Sequence, residues 1–441
     1  MNGARYHVGI DGISMPLYVL TFLLGFLCAI YTGRYVPEPG RIKAFVALTL
    51  LLITGMAGTF IAFDLILFFV FWELVLVPMY FLIGVWGSAN RQYASIKFFL
   101  YTLFGSVFML LGFLALYFSG PVDALGKHTF DLTALTAFGA GGGYTHLFQL
   151  VVFGAIALGF AVKVPMWPFH TWLPDAHTDA PTEVSVILVG ILLKMGAYGL
   201  IRVCLTLLPQ GVHDFAGWLA VIAAINILYG ASICLVQKDM KKLIAYSSVS
   251  HMGIILLGVA AAAGTGDIAF RMAALTGATI QMFSHGIITG MLFFCVGVIY
   301  DHAHTREIAA FGGVAKRMPM LATLFTFAGL ASLGLPGLAG FVAEYMVFTS
   351  SFQVWATVTA ASVFTMILTA SYLLWMLKRT FFGPFNEKWN WLPDANLRET
   401  IPLFALSAVI VFVGSFPQFL INVITPSLAM IMNGASAALH P

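Results

Sequence analysis

Long apolar stretches follow one another along the whole sequence and constrain its fold more than any other feature. Of the 441 residues, 60% are hydrophobic and only 9% are charged, a balance that water-soluble domains do not have. A membrane-crossing helix needs about 20 mainly apolar residues, and about twelve stretches reach that length. The sequence therefore predicts an all-α polytopic membrane protein with a single membrane domain and helices near residues 14–34, 43–62, 64–86, 95–119, 147–169, 181–208, 215–236, 242–263, 268–300, 318–350, 354–382 and 400–425.

Two of these stretches contain residues that interrupt a helix. In the fifth stretch, Lys163 is followed closely by Pro165 and Pro168, and in the tenth, Gly334 and Pro336 occupy the middle. Proline removes a backbone donor and clashes with the preceding turn. Non-helical backbone at membrane depth persists only where protein buries it or water lines it. We therefore predict two discontinuous helices, which in transporters form the ion-binding sites.

The spacing of the two discontinuous helices predicts an internal repeat. They are five spans apart, which gives one unit at residues 43–208 and another at 215–382, between a leading helix at 14–34 and a final helix at 400–425. Because each unit has an odd number of spans, the two copies must have opposite orientations in the membrane. The sequence therefore predicts two inverted five-helix repeats.

Basic residues are distributed unevenly between alternate loops, and this predicts the orientation of the chain. The richer set of loops contains Arg34, Arg41, Lys43, Arg91, Lys97, Lys238, Lys241, Lys242, Arg306, Lys316, Arg317, Lys378, Arg379, Lys388 and Arg398. The poorer set contains Arg5, Lys127, Arg202 and Arg271. We expect the richer set to lie in the cytoplasm, which places both termini on the outer, periplasmic side of a bacterial plasma (inner) membrane. Only Lys163 and Lys194 are then left within spans.

Six ionisable side chains within or beside the predicted spans are the candidates for function. A charge at the membrane centre is unfavourable by roughly 2.5–3.5 kcal/mol on insertion scales, so such residues usually have a partner or a role in transport. Structural alternatives remain for some of them, namely an ion pair that only supports packing, a Lys194 side chain that reaches the interface, or histidines that satisfy neighbouring groups. The candidates are Glu73, Lys163, Lys194, His251, His285 and Glu344.

The pattern of these six residues indicates proton transfer along the membrane midplane. Desolvation favours the neutral form of a buried lysine, whereas a nearby carboxylate favours the charged form. Moving or neutralising the carboxylate therefore changes whether the lysine keeps its proton. Glu344 follows the second helix break as Lys163 adjoins the first, and hydroxyl-bearing residues surround His251 and His285. A row of such groups can pass protons without any cofactor.

Other classes of function find little support in the sequence. The net charge of +3 does not suggest nucleic-acid binding, and the four cysteines are isolated, without the spacing of a metal site. No glycine-rich nucleotide motif follows a predicted strand, and the first apolar stretch is long enough to remain as a span rather than be cleaved. We interpret His170, Asp175 and His177 as loop-packing and helix-capping residues, and residues 301–304 as a solvated cytoplasmic loop. The chain is therefore expected to bind no cofactor or metal.

Four segments resemble a known family: FWELVLVPMYFLIGVWG, KVPMWPFHTWLPDAHTDAPTEVSVILVGILLKMGAYGLIR, DMKKLIAYSSVSHMG and SLGLPGLAGFVAEYMVF. They are similar to the subunit M (mitochondrial chain 4) family of NADH:quinone oxidoreductase, respiratory complex I. The resemblance covers nearly the whole chain. The ending LLKMGAYGLIR distinguishes it from the sister subunits L and N and from the multisubunit sodium/proton antiporters.

The resemblance implies a proton-translocating subunit of the membrane arm, which is part of a translocase but has no redox centre of its own. Subunits L and N would lie on either side, and NADH, flavin, iron–sulfur clusters and quinone would bind in partner subunits. The family has fourteen helices with two inverted repeats, discontinuous helices, and a proton channel on a central polar axis. By position, the six candidates resemble the family's modulating glutamate (Glu73), broken-helix lysine (Lys163), axis lysine (Lys194), axis histidines (His251 and His285) and second broken-helix glutamate (Glu344).

One departure from the family and two rival functions remain. The family has two further helices before the segment that begins here at His7, so either the start was assigned too late or the protein is short. The first rival is a subunit of a multisubunit cation/proton antiporter without a redox partner. The second is the membrane arm of an energy-converting hydrogenase, which shares the fold and the buried charges.

Overall fold

The computed structural model describes residues 3–33, 38–122 and 126–439, which are predominantly helical. β-structure in these residues is limited to isolated bridges, such as the one between Asp64 and Asp131. The all-α prediction is therefore confirmed. The main helices are α1 (Ser14–Thr32), α2 (Ile42–Ile61), α3 (Leu65–Trp86), α4 (Arg91–Ser119), α5 (Leu132–Ala140), α6 (His146–Lys163), α7 (Trp172–Asp179), α8 (Thr182–Leu207), α9 (Pro209–Cys234), α10 (Met240–Ala263), α11 (Ile268–Ala303), α12 (Pro319–Ser332), α13 (Ala339–Phe352), α14 (Ala356–Phe382), α15 (Leu397–Ser415) and α16 (Gln418–Leu439).

The number of membrane spans agrees with the prediction. Among the described residues, 11 helices are long and apolar enough to cross a membrane. The tenth predicted span consists of two shorter helices, α12 and α13, separated by a break. The chain is thus a multi-pass membrane protein with about twelve spans of roughly 20 residues. That the two five-helix groups are inverted copies of each other stays a prediction. In that prediction, the broken helix is the fourth span of each group.

The first break, between α6 and α7, is stabilised by one asparagine from a neighbouring helix. Asn226 of α9 is fully buried. Its side-chain oxygen accepts a hydrogen bond from the Trp167 amide at 2.7 Å, and its side-chain nitrogen donates to the Pro165 carbonyl at 3.1 Å. Backbone groups released from the helix therefore find a protein partner, as buried non-helical backbone requires.

We expect Asn226→Ala to destabilise the protein, because it leaves the buried Pro165 carbonyl and the partly buried Trp167 amide without their partner. Each unpaired buried group costs about 1–3 kcal/mol. The measurement is the thermal inactivation temperature of detergent-purified complex. Asn422→Ala is the matched control, because Asn422 only accepts a hydrogen bond from the exposed Gln418 side chain. Equal inactivation temperatures for the two variants would show that Asn226 does not hold the break.

The second break depends on glycine. Gly334 and Gly337, between α12 and α13, have φ angles of 76° and 89°, a conformation that residues with a Cβ rarely adopt. Gly414 of α15 packs directly on this segment, since a Cβ at that position would lie 2.4 Å from the Gly337 carbonyl oxygen. The unwound segment is thus covered by protein on the α15 side.

The end of the chain differs from the expected helix at 400–425. Helix α15 ends at Ser415, and a separate helix, α16, begins at Gln418. Pro417 explains the difference, because the residue before a proline is disfavoured in the helical conformation. Phe416 accordingly leaves the helix, with φ −126° and ψ 55°.

The prediction that only two basic residues lie within spans is wrong. Arg202, Lys241 and Arg271 also belong to spanning helices and are buried. Lys241 had been assigned to a cytoplasmic loop, yet it occupies the first turn of α10, where Asp239 caps the helix. Arg34, another residue of the cytoplasmic set, lies outside the described residues.

Three helices form the centre of the domain. In the apolar 18-residue segments of α8, α10 and α11, 100%, 94% and 100% of the residues are buried inside the protein. In the corresponding segments of the other spanning helices, at most 56% of the residues are buried. Lys194, His251 and His285 lie on these three helices. The central helices therefore hold these three side chains away from lipid.

Candidate functional site

Lys194 lies at the middle of the central helix α8 and is fully buried. Its ammonium donates to the Val189 carbonyl, which belongs to a π-helical turn at Leu188–Leu192. It also lies 2.7 Å from Nδ1 of His285 on α11. A lysine ammonium has donors only, so with Lys194 protonated Nδ1 accepts and the His285 ring proton is on Nε2.

His285 leads to a second histidine and a carboxylate. The rings of His285 and His251 have centroids 5.4 Å apart. Nδ1 of His251 lies 3.2 Å from a carboxylate oxygen of Glu344, and its Nε2 lies 3.3 Å from the Ser332 hydroxyl. Lys194, His285, His251 and Glu344 therefore form a continuous buried row, which we call the polar row.

A small cavity occupies the gap between the two histidines. Its volume is about 10 Å³, and His251, His285, Thr289, Ser332 and Glu344 are among the residues that line it. This is close to the space that one water molecule needs. Nε2 of His285 is buried and has no hydrogen-bond partner in the protein. A water here would connect the two rings.

Helix α13 brings Glu344 into the row because the preceding break provides space. A Cβ at Gly334 would lie 3.0 Å from a carboxylate oxygen of Glu344. Glu344 itself is buried, with 5% of its surface exposed. The second helix break, at Gly334, therefore packs directly against the Glu344 carboxylate, which follows it in the sequence.

Glu73 and Lys163 form a separate pair. Lys163 is the last residue of α6, is 1% exposed, and holds its ammonium 4.2 Å from the centroid of the Trp72 ring. This geometry is a cation–π contact. Glu73 directly follows Trp72 in the chain, and one of its carboxylate oxygens is buried without a hydrogen-bond partner. The two side chains therefore lie near each other without forming a direct ion pair.

The pair lies close to the polar row. Helix α6 packs tightly against α8, since a Cβ at Gly196 would lie 3.0 Å from the Val164 amide nitrogen. Gly196 is two residues after Lys194, and Val164 directly follows Lys163. The four residues Lys194, His285, His251 and Glu344 are therefore brought into one row, and Glu73 with Lys163 lies beside its Lys194 end.

The sequence analysis missed His177. Interpreted there as a packing or capping residue, it is fully buried in α7, with its ring stacked on Phe293 at a centroid distance of 4.7 Å. Neither ring nitrogen has a hydrogen-bond partner in the protein, and buried polar atoms of this kind call for an explanation. His177 is therefore a further candidate for proton transfer. Its place in the second half of a broken helix was the signal that could have identified it.

The other residues of that segment have structural partners. Asp175 forms an ion pair with Lys97 at 2.7 Å, and His170 lies 3.2 Å from the Tyr229 hydroxyl. Within the part of the chain that the structure describes, no group of three or more His, Cys, Asp or Glu side chains is arranged to hold a metal ion.

Comparison with known proteins places this arrangement in a family. Residues 62–369 match the sequence profile described as "NADH:quinone oxidoreductase/Mrp antiporter, TM". The chain belongs to this family. The match contains all six predicted site residues and His177.

Members of the family are similar over nearly the whole chain. NADH-quinone oxidoreductase subunit M of Rhodobacter capsulatus is 42% identical over 440 residues, which cover 99% of this chain and 84% of that protein. The F(420)H(2) dehydrogenase subunit M of Methanosarcina mazei is 39% identical over 442 residues, with coverage of 99% and 84%. The resemblance to subunit M predicted from the sequence is therefore confirmed.

Solved structures of the family have the same fold. A chain of respiratory complex I from Thermus thermophilus with bound NADH matches with a TM-score of 0.88 and 28% identity, covering 98% of this chain and 87% of that one. A chain of the Mrp complex from Dietzia sp. DQ12-45-1b matches with a TM-score of 0.83 at 21% identity, covering 98% and 86%. The second likeness concerns the fold alone.

Proposed function

We propose that this chain is a proton-translocating membrane-arm subunit of an NADH:quinone oxidoreductase and that the polar row is its proton path. The observation that carries the proposal is the buried row of ionisable groups from Lys194 through His285 and His251 to Glu344, in which a small cavity lies between the two histidine rings. The 42% identity to a subunit M over 440 residues supports the parent enzyme.

The hydrogen-bond geometry supports a stepwise proton transfer. Lys194 can pass a proton to Nδ1 of His285, which then releases its Nε2 proton toward the cavity. A water there, or His251 directly, receives it and hands it to Glu344. Each step moves one proton between adjacent groups and leaves His285 with its proton on Nδ1, so the ring must exchange its tautomer before the next transfer; the row needs no cofactor. Histidine suits this role because its unperturbed pKa is about 6.5.

Glu73 and Lys163 act as the switch for this row. A charge on Lys163 disfavours a second charge on Lys194, because like charges in a medium of low dielectric constant repel strongly. When the negative charge of Glu73 offsets the positive charge of Lys163, that repulsion is weaker, and Lys194 can take up a proton. When the charge of Glu73 no longer offsets that of Lys163, the repulsion favours transfer of the proton from Lys194 to His285.

The energy for the switch comes from elsewhere in the enzyme. NADH, flavin, iron–sulfur clusters and quinone bind in partner subunits, and this chain carries no redox centre. The similarity to a subunit M of an F(420)H(2) dehydrogenase supports the separation of proton transfer from redox chemistry. The name of that enzyme gives an electron donor other than NADH, although its subunit M is similar to this chain. The partners are subunits L and N on either side, within a bacterial plasma membrane, and both termini face the outside.

Two related functions share the fold. A chain of the membrane-bound sulfane sulfur reductase and the Mrp chain match with TM-scores of 0.84 and 0.83 at 23% and 21% identity, so the fold alone does not separate a redox-driven pump from an antiporter or a hydrogenase arm. The subunit M relatives favour the quinone reductase. Co-purification of a tagged chain distinguishes the three, since each function requires a different partner module.

We expect His285→Gln to reduce NADH-driven proton pumping by about tenfold or more, because general acid–base groups commonly contribute 10²–10⁴ in rate. The measurement is vesicle acidification together with NADH oxidation. His213→Gln is the control, because His213 contacts only the Ala263 carbonyl, outside the row. Unchanged pumping in an assembled His285→Gln complex would exclude the polar row as the path.

A further inference from the structure

A polar cavity of about 250 Å³ opens where α1 and α11 end and α8 and α10 begin. The basic-residue distribution places this end of the domain in the cytoplasm. Among the lining residues are Tyr31, Asp179, Glu183, Lys241 and Asp301. The cavity thus brings four carboxyl groups, one of them on the exposed Glu38, and a buried lysine together at this end of the central helices.

Among Asp179, Glu183 and Asp301, the carboxyl groups on the central part of this cavity, Glu183 has the weakest hydrogen bonding. Asp179 accepts from the Ser88 hydroxyl at 2.6 Å and from the Asn90 amide at 3.0 Å, and Asp301 accepts from the Tyr31 hydroxyl at 2.6 Å. Glu183 accepts a longer bond, 3.3 Å, from the Thr32 hydroxyl. It is 3% exposed, at the second residue of α8. A buried carboxyl without strong donors can exchange its proton more readily than one held by short hydrogen bonds.

Lys241 lines the cavity and contacts the turn between α7 and α8. Its ammonium donates to the Ala180 carbonyl, in the turn that joins α7 to α8, and the side chain is 4% exposed. This contact fixes the turn that carries Glu183 on one side and His177 on the other. Lys241 is therefore a positioning residue for both.

His177 lies two residues before Asp179, which lines the cavity. The Ser185 hydroxyl donates to the His177 carbonyl at 3.1 Å, which packs α8 against α7 at this point. The His177 ring is fully buried, and neither of its nitrogens has a hydrogen-bond partner in the protein. Its two unpartnered nitrogens are free to accept a proton on one side and release one on the other.

We propose that protons enter this subunit from the cytoplasm through the cavity, with Glu183 as the first proton acceptor and His177 as the link to Lys194. The inference rests on the proposed function. A proton from bulk water protonates the Glu183 carboxylate and passes to one His177 nitrogen; the other nitrogen then releases its proton to neutral Lys194. This inlet reaches the polar row without passing through Lys163, which acts on the row only through its charge.

The test uses assembled complex in inverted membrane vesicles, whose cytoplasmic face is outward. We expect Glu183→Gln to lower NADH-driven acidification about tenfold, while Asp301→Asn, in the same cavity, leaves it within about twofold because an amide oxygen can still accept from Tyr31. Full pumping by Glu183→Gln together with loss of pumping by Lys194→Met would overturn the inlet and leave the proposed function intact. Full pumping by both variants would overturn both.

Chemical labelling gives a second readout that does not require a variant to assemble. A membrane-permeant carbodiimide should modify Glu183 in the wild-type complex, and peptide mass spectrometry would locate the product. A carbodiimide adds to a protonated carboxyl group, which the proposal requires Glu183 to become in each cycle. In addition, Glu183→Cys should react with a membrane-impermeant thiol reagent from the cytoplasmic side, against a low background because the four native cysteines are buried. Absence of the carbodiimide product, or thiol labelling only from the opposite side, would contradict the proposal.

Discussion

Replacing Lys194 with methionine is expected to abolish proton pumping while the complex still assembles. Methionine nearly conserves the volume of the side chain but cannot carry a proton, and it removes the unfavourable desolvation of a fully buried charge. The loss removes the donor that contacts His285 at 2.7 Å. We expect pumping to fall by about 10²-fold, in the range for essential proton-transfer groups. NADH oxidation and vesicle acidification measure the effect.

The control for this prediction is Lys97→Met. Lys97 forms an ion pair with Asp175 at the edge of the domain, where its side chain is 18% exposed. Exposed ion pairs typically contribute only about 0–1 kcal/mol, so pumping should change little. If Lys194→Met pumps as well as Lys97→Met, protons do not pass through Lys194.

Replacing Lys163 or Glu73 is expected to reduce pumping strongly, and the two effects should not add. Lys163→Met removes the charge that repels Lys194, and Glu73→Gln removes the group that compensates Lys163. Because both changes disable the same switch, the double variant should be no worse than the stronger single variant, which we expect to lose about tenfold or more. Pumping and NADH oxidation in all three variants give the interaction between the sites.

A purely structural role for the pair predicts a different result. In that case neutralising either residue would affect assembly and thermal stability, while the pumping of the assembled complex would match the wild type. Trp72 offers a further control, because its ring contacts the Lys163 ammonium and its indole N–H donates to Ser106 at 3.0 Å. Trp72→Phe keeps an aromatic face under Lys163 and should preserve more of the pumping than Lys163→Met.

The first helix break lies between two groups that have different proposed roles. The break between α6 and α7 places Lys163 on one side and His177 on the other, so that one interruption serves both the switch and the proposed inlet. Asn226 stabilises the backbone between them. A single buried amide thus maintains the geometry on which both groups depend.

The sequence by itself determined the fold class, the approximate number of spans, both helix breaks and which charged residues are unusual. These are local properties: about 20 apolar residues in succession predict a span, and proline or glycine within such a stretch predicts a break. The cost of burying a charge depends on the surrounding stretch as well. For this reason Lys163, Lys194 and Glu344 could be identified without a structure.

Only the tertiary structure decided which of these residues meet. Lys194 and His285 are 91 positions apart, and His251 and Ser332 are 81 apart, so their contacts depend on how the central helices pack. The same packing buries Lys241 and His177, which the local sequence had assigned to a loop or a cap. A helix terminus that looks polar in sequence can be covered by other helices in the fold. Burial of a terminus is therefore a property of the assembled helices, whereas hydropathy and helix breaks belong to each segment alone.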